Sequence, residues 1–183
     1  MAQNKNLYFI AIIPHQSIRE EVKNLKEEIK DRFQAKHALK SPAHITLQMP
    51  FKLEGELETK LIEILEAFAT TQSNFEVKLN GFDCFSPRVI FVQVEDHAPI
   101  INLHKVLKEV LMKDMGFKEQ DITQKVHPHM TLATRDLKKD MFYEAWSEFE
   151  NRAYKNSFEV GAIYLLKHNG KFWDIYKECK LSV

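Results

Sequence analysis

The 183-residue sequence predicts an α+β protein of two similar lobes related by internal duplication. Two observations predict it. Strand-like and helix-like periodicities follow one another in the order βαβαββαβαββ. A tetrapeptide of the form His-x-Thr-Leu occurs twice, as His44-Ile45-Thr46-Leu47 and His129-Met130-Thr131-Leu132, half a chain apart. After each copy the same rhythm returns: a helix, then a hairpin-like pair of strands.

The elements follow in order. Leu7 to Ile13 is a continuous apolar run closed by Pro14, which suits a buried central strand. Ile18, Val22, Leu25, Ile29 and Phe33 mark one face of a helix over about 17–34, with Ser17 as a plausible N-cap. Ser41-Pro42 breaks that pattern, and the first motif strand spans about 43–49. Leu57, Leu61, Ile64, Leu65 and Phe68 mark a second helix. Phe75, Val77 and Leu79 alternate with polar residues as a half-buried strand, Phe82 to Pro87 reads as a turn, and Val89 to Val94 returns as a strand. Leu103, Val106, Leu107, Val110 and Leu111 mark a third helix ending near Gly116. The second motif strand spans about 129–134, and Phe142, Ala145, Trp146 and Phe149 mark a fourth helix. Finally, Phe158 to Lys167 and Phe172 to Lys177 flank Asn169-Gly170, a two-residue hairpin signal. No Gly/Ser linker separates the halves, so residues 1–183 are expected to form one domain of two intimately packed lobes.

Composition narrows the function classes. Lys+Arg 26 balance Asp+Glu 26 for a formal net charge of +0, with no sustained basic run. That disfavours sequence-independent binding to long duplex nucleic acid, whose affinity comes from phosphate neutralisation, but suits a small anion or a short RNA end. Cys84 and Cys179 lie far apart and form no C-x-x-C, which points to two buried thiols in a reducing cytosol, with a disulfide between them as the alternative, rather than a redox pair or thiolate cluster. The apolar run after the polar Met1–Asn6 is too short for a signal peptide or a membrane span, so a cytoplasmic location without membrane contact is expected.

The motifs carry the chemistry. On a strand, a His and the Thr two residues later share one face, while the intervening residues, Ile45 and Leu47 or Met130 and Leu132, face the core. Two such strands across one cleft place two imidazoles and two hydroxyls around a single substrate atom. Random placement of 8 His among these 183 residues yields roughly 0.03 His-x-Thr-Leu tetrapeptides per chain, so two copies are hard to ascribe to chance. The bland alternative is a pair of satisfied strand histidines with Thr chosen for β-propensity. His127 suggests a His-x-His zinc site with His129, but Pro128 makes it more simply a loop-end residue. Arg135, beside Asp136, is either a phosphate ligand or a solvated turn residue. Phe9, Phe51 and Phe85 are candidates to stack a base at the cleft rim, against a background of 13 Phe that mostly build core. His15, His37, His97, His104 and His168 are expected at the surface.

With Pro42 just upstream of the first motif and Pro128 immediately before the second His, the chain resembles the 2H phosphoesterase superfamily, and within it the bacterial 2′-5′ RNA ligase-like proteins that include 2′,3′-cyclic phosphodiesterases. The resemblance spans nearly the whole chain in layout and rests on the two motifs. It implies a pseudo-symmetric fold of two antiparallel sheets with outer helices around a central cleft. It implies His44 and His129 as the catalytic pair, read as His129 the base on water and His44 the acid although the sequence does not fix which ring takes which role, and Thr46 and Thr131 as phosphate ligands. It further implies a metal-independent reaction without cofactor, on phosphodiesters next to a ribose 2′ oxygen; a monomer is expected, though the sequence does not fix the oligomeric state. Two departures bear on substrate choice. Ala133 and Thr134 precede Arg135, which is expected to shift that cation away from the cleft, and Met49-Pro50-Phe51-Lys52-Leu53 stands where relatives often have an aromatic–Leu–Gly turn. The readings left open are a cyclic phosphodiesterase or, in the reverse direction, an RNA end-processing ligase, a 2′-5′ oligoadenylate phosphodiesterase, and a non-catalytic nucleotide-binding module.

Overall fold

The computed structural model describes residues 5–182. In chain order these form β1 (Lys5–Ile12), α1 (Gln16–Phe33), a 3-10 turn (His37–Lys40), β2 (Ile45–Glu54), α2 (Glu58–Ala69), β3 (Phe75–Phe85), β4 (Val89–Val94), α3 (Ala98–Asp114), β5 (His129–Ala133), α4 (Lys139–Phe149), β6 (Lys155–Val160), β7 (Ala162–His168) and β8 (Trp173–Lys180). The strands make two four-stranded antiparallel sheets, ordered β2-β1-β7-β8 and β5-β4-β3-β6. Each motif strand lies at the edge of its sheet beside the strand that precedes it by one helix, so β1-α1-β2 and β4-α3-β5 are the matching units.

The lobes are interleaved rather than sequential, which corrects the division at mid-chain. The second sheet is built wholly from the middle of the chain, and the first from both ends. The crossing back occurs at Gly161. There the predicted single strand Phe158–Lys167 divides into β6, in the second sheet, and β7, in the first. The helices bind the lobes together: α1 packs against β5 and α4, and α3 against β2 and α2.

Other boundaries differ for identifiable reasons. The expected turn at Phe82–Phe85 is strand, because Gly81, at φ 69°, takes up a register shift that bends β3 without ending it. β2 continues past Pro50 because an edge strand has one side free of partners, where a missing N–H costs no ladder bond. α1 starts at Gln16 with His15 at the cap position. Ser17 caps nothing and instead contacts His15 Nδ1 through its hydroxyl at 2.8 Å.

β1 explains its own continuous apolar run. Tyr8, Ile10 and Ile12 face the main core, which is shared by both sheets and all four helices. Phe9, Ala11 and Ile13 form a smaller cluster with Leu166 on the opposite face, against which Tyr164 and Trp173 pack. At about 25 cal/mol per Å2 of buried apolar surface, such two-sided coverage makes a central strand the main stabilising element of its sheet.

Buried polar bonds join the two halves of the chain. Gln48 of β2 is 2 % exposed. Its Oε1 accepts Thr123 N–H at 2.9 Å and its Nε2 donates to Asp121 O at 3.1 Å, while Met49 N–H donates to Thr123 Oγ1 at 2.9 Å. His104, expected at the surface, is buried because its Nε2 lies 3.0 Å from Thr123 O and holds the same loop. Cys179 is buried and Cys84 half-buried, and both are free thiols.

Candidate active site

The outward faces of the two motif strands meet at one cleft of about 320 Å3, lined by His44, Thr46, His129, Thr131 and Arg135 among others. Alternation along the strands delivers this. Ile45, Leu47, Met130 and Leu132 are fully buried beneath, while the His and Thr of each motif are half-buried and turned to the opening.

The two histidines are held in the same way. His44 Nδ1 lies 2.8 Å from Pro42 O, and His129 Nδ1 lies 2.5 Å from His127 O. A carbonyl only accepts, so Nδ1 carries the hydrogen in both rings and Nε2 is left as the free, basic nitrogen. Each ring also rests on a phenylalanine from the neighbouring strand: Phe9 at 4.8 Å from His44, and Phe91 at 4.7 Å from His129.

The electrostatics of the two rings differ. Burial pushes the His44 imidazole down to about 4, helped by the nearby Lys26 ammonium and opposed by the Pro42 carbonyl. His129 is also lowered, chiefly by burial, with the His127 carbonyl opposing and His127 and His97 adding to the fall. Lys26 is the unusual partner. It is 3 % exposed, and its Nζ donates to Ala38 O at 3.0 Å and Ser41 O at 3.1 Å. No carboxylate pairs with it among the described residues, and burial lowers it to about 8, so it is charged at neutral pH.

Arg135 lines the cleft, contrary to the expected displacement. Its backbone takes the left-handed conformation (φ 50°), which turns the chain back after Ala133 and Thr134. Asp136, though exposed, is engaged: its Oδ2 accepts Lys36 N–H and His37 N–H, each at 2.9 Å. That carboxylate ties the turn after the second motif to the segment before the first. His37 joins the cleft wall as a result, and its imidazole is lowered by burial first and then by the Arg135 and Lys40 charges.

The aromatic candidates separate. Phe85 is 40 % exposed at the rim, edge-on to His129 at 5.2 Å. Phe9 is buried under His44 instead of at the rim. Phe51 lies in the core between Tyr8 and Phe117, away from the cleft. Met49 and Pro50, from the segment that departs from the relatives' turn, line the cleft in its place. His127 is exposed, 4.7 Å from the His97 ring and 6.1 Å from His129. Among the described residues no group of three or more His, Cys, Asp or Glu is placed to hold a metal ion.

Sequence reasoning missed Phe91, Trp173, Lys40 and Lys26. Phe91 had a signal, since a phenylalanine on the strand preceding each motif by one helix belongs to the same repeat. Lys26 had none, because its place on α1 reads as part of a solvated helix face.

Comparison with known proteins agrees with this layout. A protein of Geobacillus sp. (strain WCH70) named as a candidate phosphoesterase is 24% identical over 174 residues, 93% of each chain. A similarly named protein of Geobacillus kaustophilus (strain HTA426) is 26% identical over the same length, again with 93% of each chain covered. Among solved structures, E. coli LigT complexed with 3′-AMP superposes with a TM-score of 0.68 at 16% identity, over 98% of this chain and 100% of that one. TT0787 of Thermus thermophilus gives 0.67 at 18% identity, over 96% and 97%. The family model of the 2′-5′ RNA ligase superfamily matches residues 14–172, and the chain belongs to that superfamily.

Proposed function

We propose that the protein is a metal-independent phosphodiesterase that opens 2′,3′-cyclic phosphates at the ends of RNA or on nucleotides. The observation that carries this reading is the pair of imidazoles, each fixed by an Nδ1–H to carbonyl bond and each beside its own Thr, both lining one cleft. Membership of the superfamily and relatives named as phosphoesterases support the reaction class. E. coli LigT, which shares the fold, has been seen with 3′-AMP and with ATP, in keeping with a nucleotide ligand here.

His44 Nε2 removes a proton from water as the water oxygen attacks phosphorus. The bond from phosphorus to the ribose 3′ oxygen breaks, and His129 Nε2–H delivers the proton that the departing oxygen needs, leaving a 2′-phosphate. Solvent exchange then restores both rings. This reverses the assignment that the resemblance implied, for an electrostatic reason. Burial and the fixed Lys26 charge make His44 the harder ring to protonate, so at the pH where one ring is protonated it is His129 that holds the proton. Thr46 and Thr131 hydroxyls donate to the non-bridging oxygens, and the Arg135 guanidinium balances their negative charge as it builds in the transition state.

The test is hydrolysis of adenosine 2′,3′-cyclic phosphate in excess EDTA, with products resolved by phosphorus NMR, for wild type, His44→Ala and His129→Ala. A 2′-phosphate from wild type, reduced about 10²–10⁴-fold by either substitution, supports the reading. An active EDTA-treated enzyme that tolerates both substitutions refutes it. A protein that binds the nucleotide without turnover is instead the nucleotide-binding module. Turnover confined to 2′-5′ linked oligoadenylate moves the reading to that substrate.

A further inference from the structure

A second cavity, of about 500 Å3, adjoins the cleft along the outer side of α1. The two share Lys40, Ser41 and Trp173 as wall residues, so they are neighbouring compartments of one surface. Trp173 is held edge-on against Phe9 at 4.7 Å, the same ring that supports His44 from below. The wall between the compartments is thus built on the first motif's own support.

The lining of this second cavity is made for an anion. Arg19, Lys23, Lys26 and Lys40 face two carboxylates, Glu20 and Glu27. Both carboxylates are already engaged: Glu27 pairs with Lys30, and Glu20 accepts Gln16 Nε2 at 2.6 Å. None of the four cations has a carboxylate partner among the described residues. Arg19 Nε is buried without any hydrogen-bond partner, an arrangement that leaves a strong donor unsatisfied. Lys26 forms the floor with two of its three N–H donors spent on carbonyls. Phe172, 42 % exposed, extends the aromatic wall from Trp173 to the rim.

We infer that this cavity is a second phosphate subsite for the substrate of the cleft. It takes the phosphodiester on the 5′ side of the ribose whose cyclic phosphate sits between His44 and His129, and the preceding base lies against Trp173 and Phe172. The inference rests on the phosphodiesterase reading and deepens it, because it makes an oligonucleotide end a better substrate than a lone cyclic nucleotide. A base needs only a π face to stack, so this compartment is tolerant of sequence. The guanidinium of Arg19 supplies the planar fork that a phosphate accepts.

The experiment compares kcat/KM for adenosine 2′,3′-cyclic phosphate with that for a diadenylate ending in a 2′,3′-cyclic phosphate, in wild type, Arg19→Gln, Lys23→Gln and the distant Lys52→Gln. The expected wild-type preference for the dinucleotide is about tenfold or more, the weight of one charge-assisted hydrogen bond. Arg19→Gln and Lys23→Gln each pull the preference towards one, and Lys52→Gln leaves it in place. Log–log salt dependence for the dinucleotide also flattens in the first two, by about 0.7 for each phosphate that is no longer neutralised. A wild type without preference, or a preference untouched by both substitutions, overturns the subsite. If neither substrate is turned over, the phosphodiesterase reading falls first. The subsite is then judged by fluorescence anisotropy of a labelled diadenylate 3′-phosphate: binding weakened by Arg19→Gln and Lys23→Gln upholds it, and unchanged binding refutes it.

Discussion

The buried ammonium of Lys26 beside His44 makes the pH profile a sharp test of how the two rings divide their work. A free imidazole titrates near 6.5, and His44 is pushed down to about 4. That difference is a penalty of roughly 3 kcal/mol on the protonated ring. Burial is the largest cause and the Lys26 charge the next, with the His129 ring contributing last among those that lower it. Removing the charge while keeping the burial therefore recovers only part of the difference, on the order of 1 unit, or tenfold in proton affinity. Since kcat/KM reports the free enzyme, wild type should lose activity in acid as His44 protonates near pH 4. It should also lose activity on the alkaline side as His129 deprotonates below the ordinary 6.5, which gives an optimum on the acid side of neutrality. In Lys26→Met the acid limb moves up by up to about 1 unit. In Lys26→Arg, which keeps the charge and the donors to Ala38 O and Ser41 O, it stays in place. The assay is kcat/KM on adenosine 2′,3′-cyclic phosphate from about pH 3.5 to 8, a range that brackets both rings, paired with NMR titration of the His44 ring. A wild-type acid limb at or above about pH 6, close to an unperturbed imidazole, or a Lys26→Met limb that stays put or moves down, refutes both the electrostatic argument and the assignment of His44 as base.

Three further outcomes follow from the geometry. Glu58 accepts bonds from Lys167 Nζ at 2.5 Å, Tyr176 OH at 2.6 Å and Tyr8 OH, and these partners hold its carboxyl down to about 2. A depressed folded-state value stabilises fully above the unfolded value near 4.5 and is lost as pH falls towards 2. Urea unfolding should therefore show wild type losing about 2 kcal/mol more than Glu58→Gln across that window, after discount for partial exposure; parallel curves would remove Glu58 from the acid response. Thr46→Val and Thr131→Val keep shape and lose a hydroxyl donor, so each should lower kcat by about 10–10²-fold with little change in KM; a pure KM effect would assign the hydroxyls to ground-state binding. Gln48→Leu strands Thr123 N–H and Asp121 O, at a cost of about 2–3 kcal/mol in urea unfolding, and a change within about ±0.5 kcal/mol, the range of an ordinary surface substitution, would show that the loop holds without the amide.

The parts legible in the sequence are those with a period or a duplicated signature. That His44, Thr46, His129 and Thr131 share one cleft was legible because strand alternation converts a tetrapeptide into a face, and the structure turns both faces to one opening. Arg135 was left open between phosphate ligand and solvated turn because spacing counts residues as though the strand continued, whereas the left-handed residue at that position folds the chain back and brings it to the cleft. The division of Phe158–Lys167 between two sheets was invisible for a related reason. Its alternation is unbroken through Gly161, and only the arrangement of partner strands decides which sheet each half joins. Lys26 and His104 were hidden by residue type, since polar side chains on helices usually lie in solvent, and only the chain brought against them reveals the carbonyls that bury them.

The motifs are repeated faithfully, yet acid–base catalysis needs two rings that behave differently. Duplication supplies matching tautomers and aromatic supports, which by themselves make two equivalent imidazoles. The difference enters from residues outside both motifs. α1 sets a buried cation behind the first ring, while His97 and His127, both more accessible than Lys26, surround the second. A permanently buried charge perturbs its neighbour more than groups screened by solvent, so the asymmetry has a fixed sense over the working pH range. The same segment of α1 that carries Lys26 also presents Arg19 and Lys23 to the adjoining cavity. On the proposed reading, one helix would set the protonation order of the cleft and offer the next phosphate its ligands, coupling recognition of a longer substrate to the ring that starts the reaction.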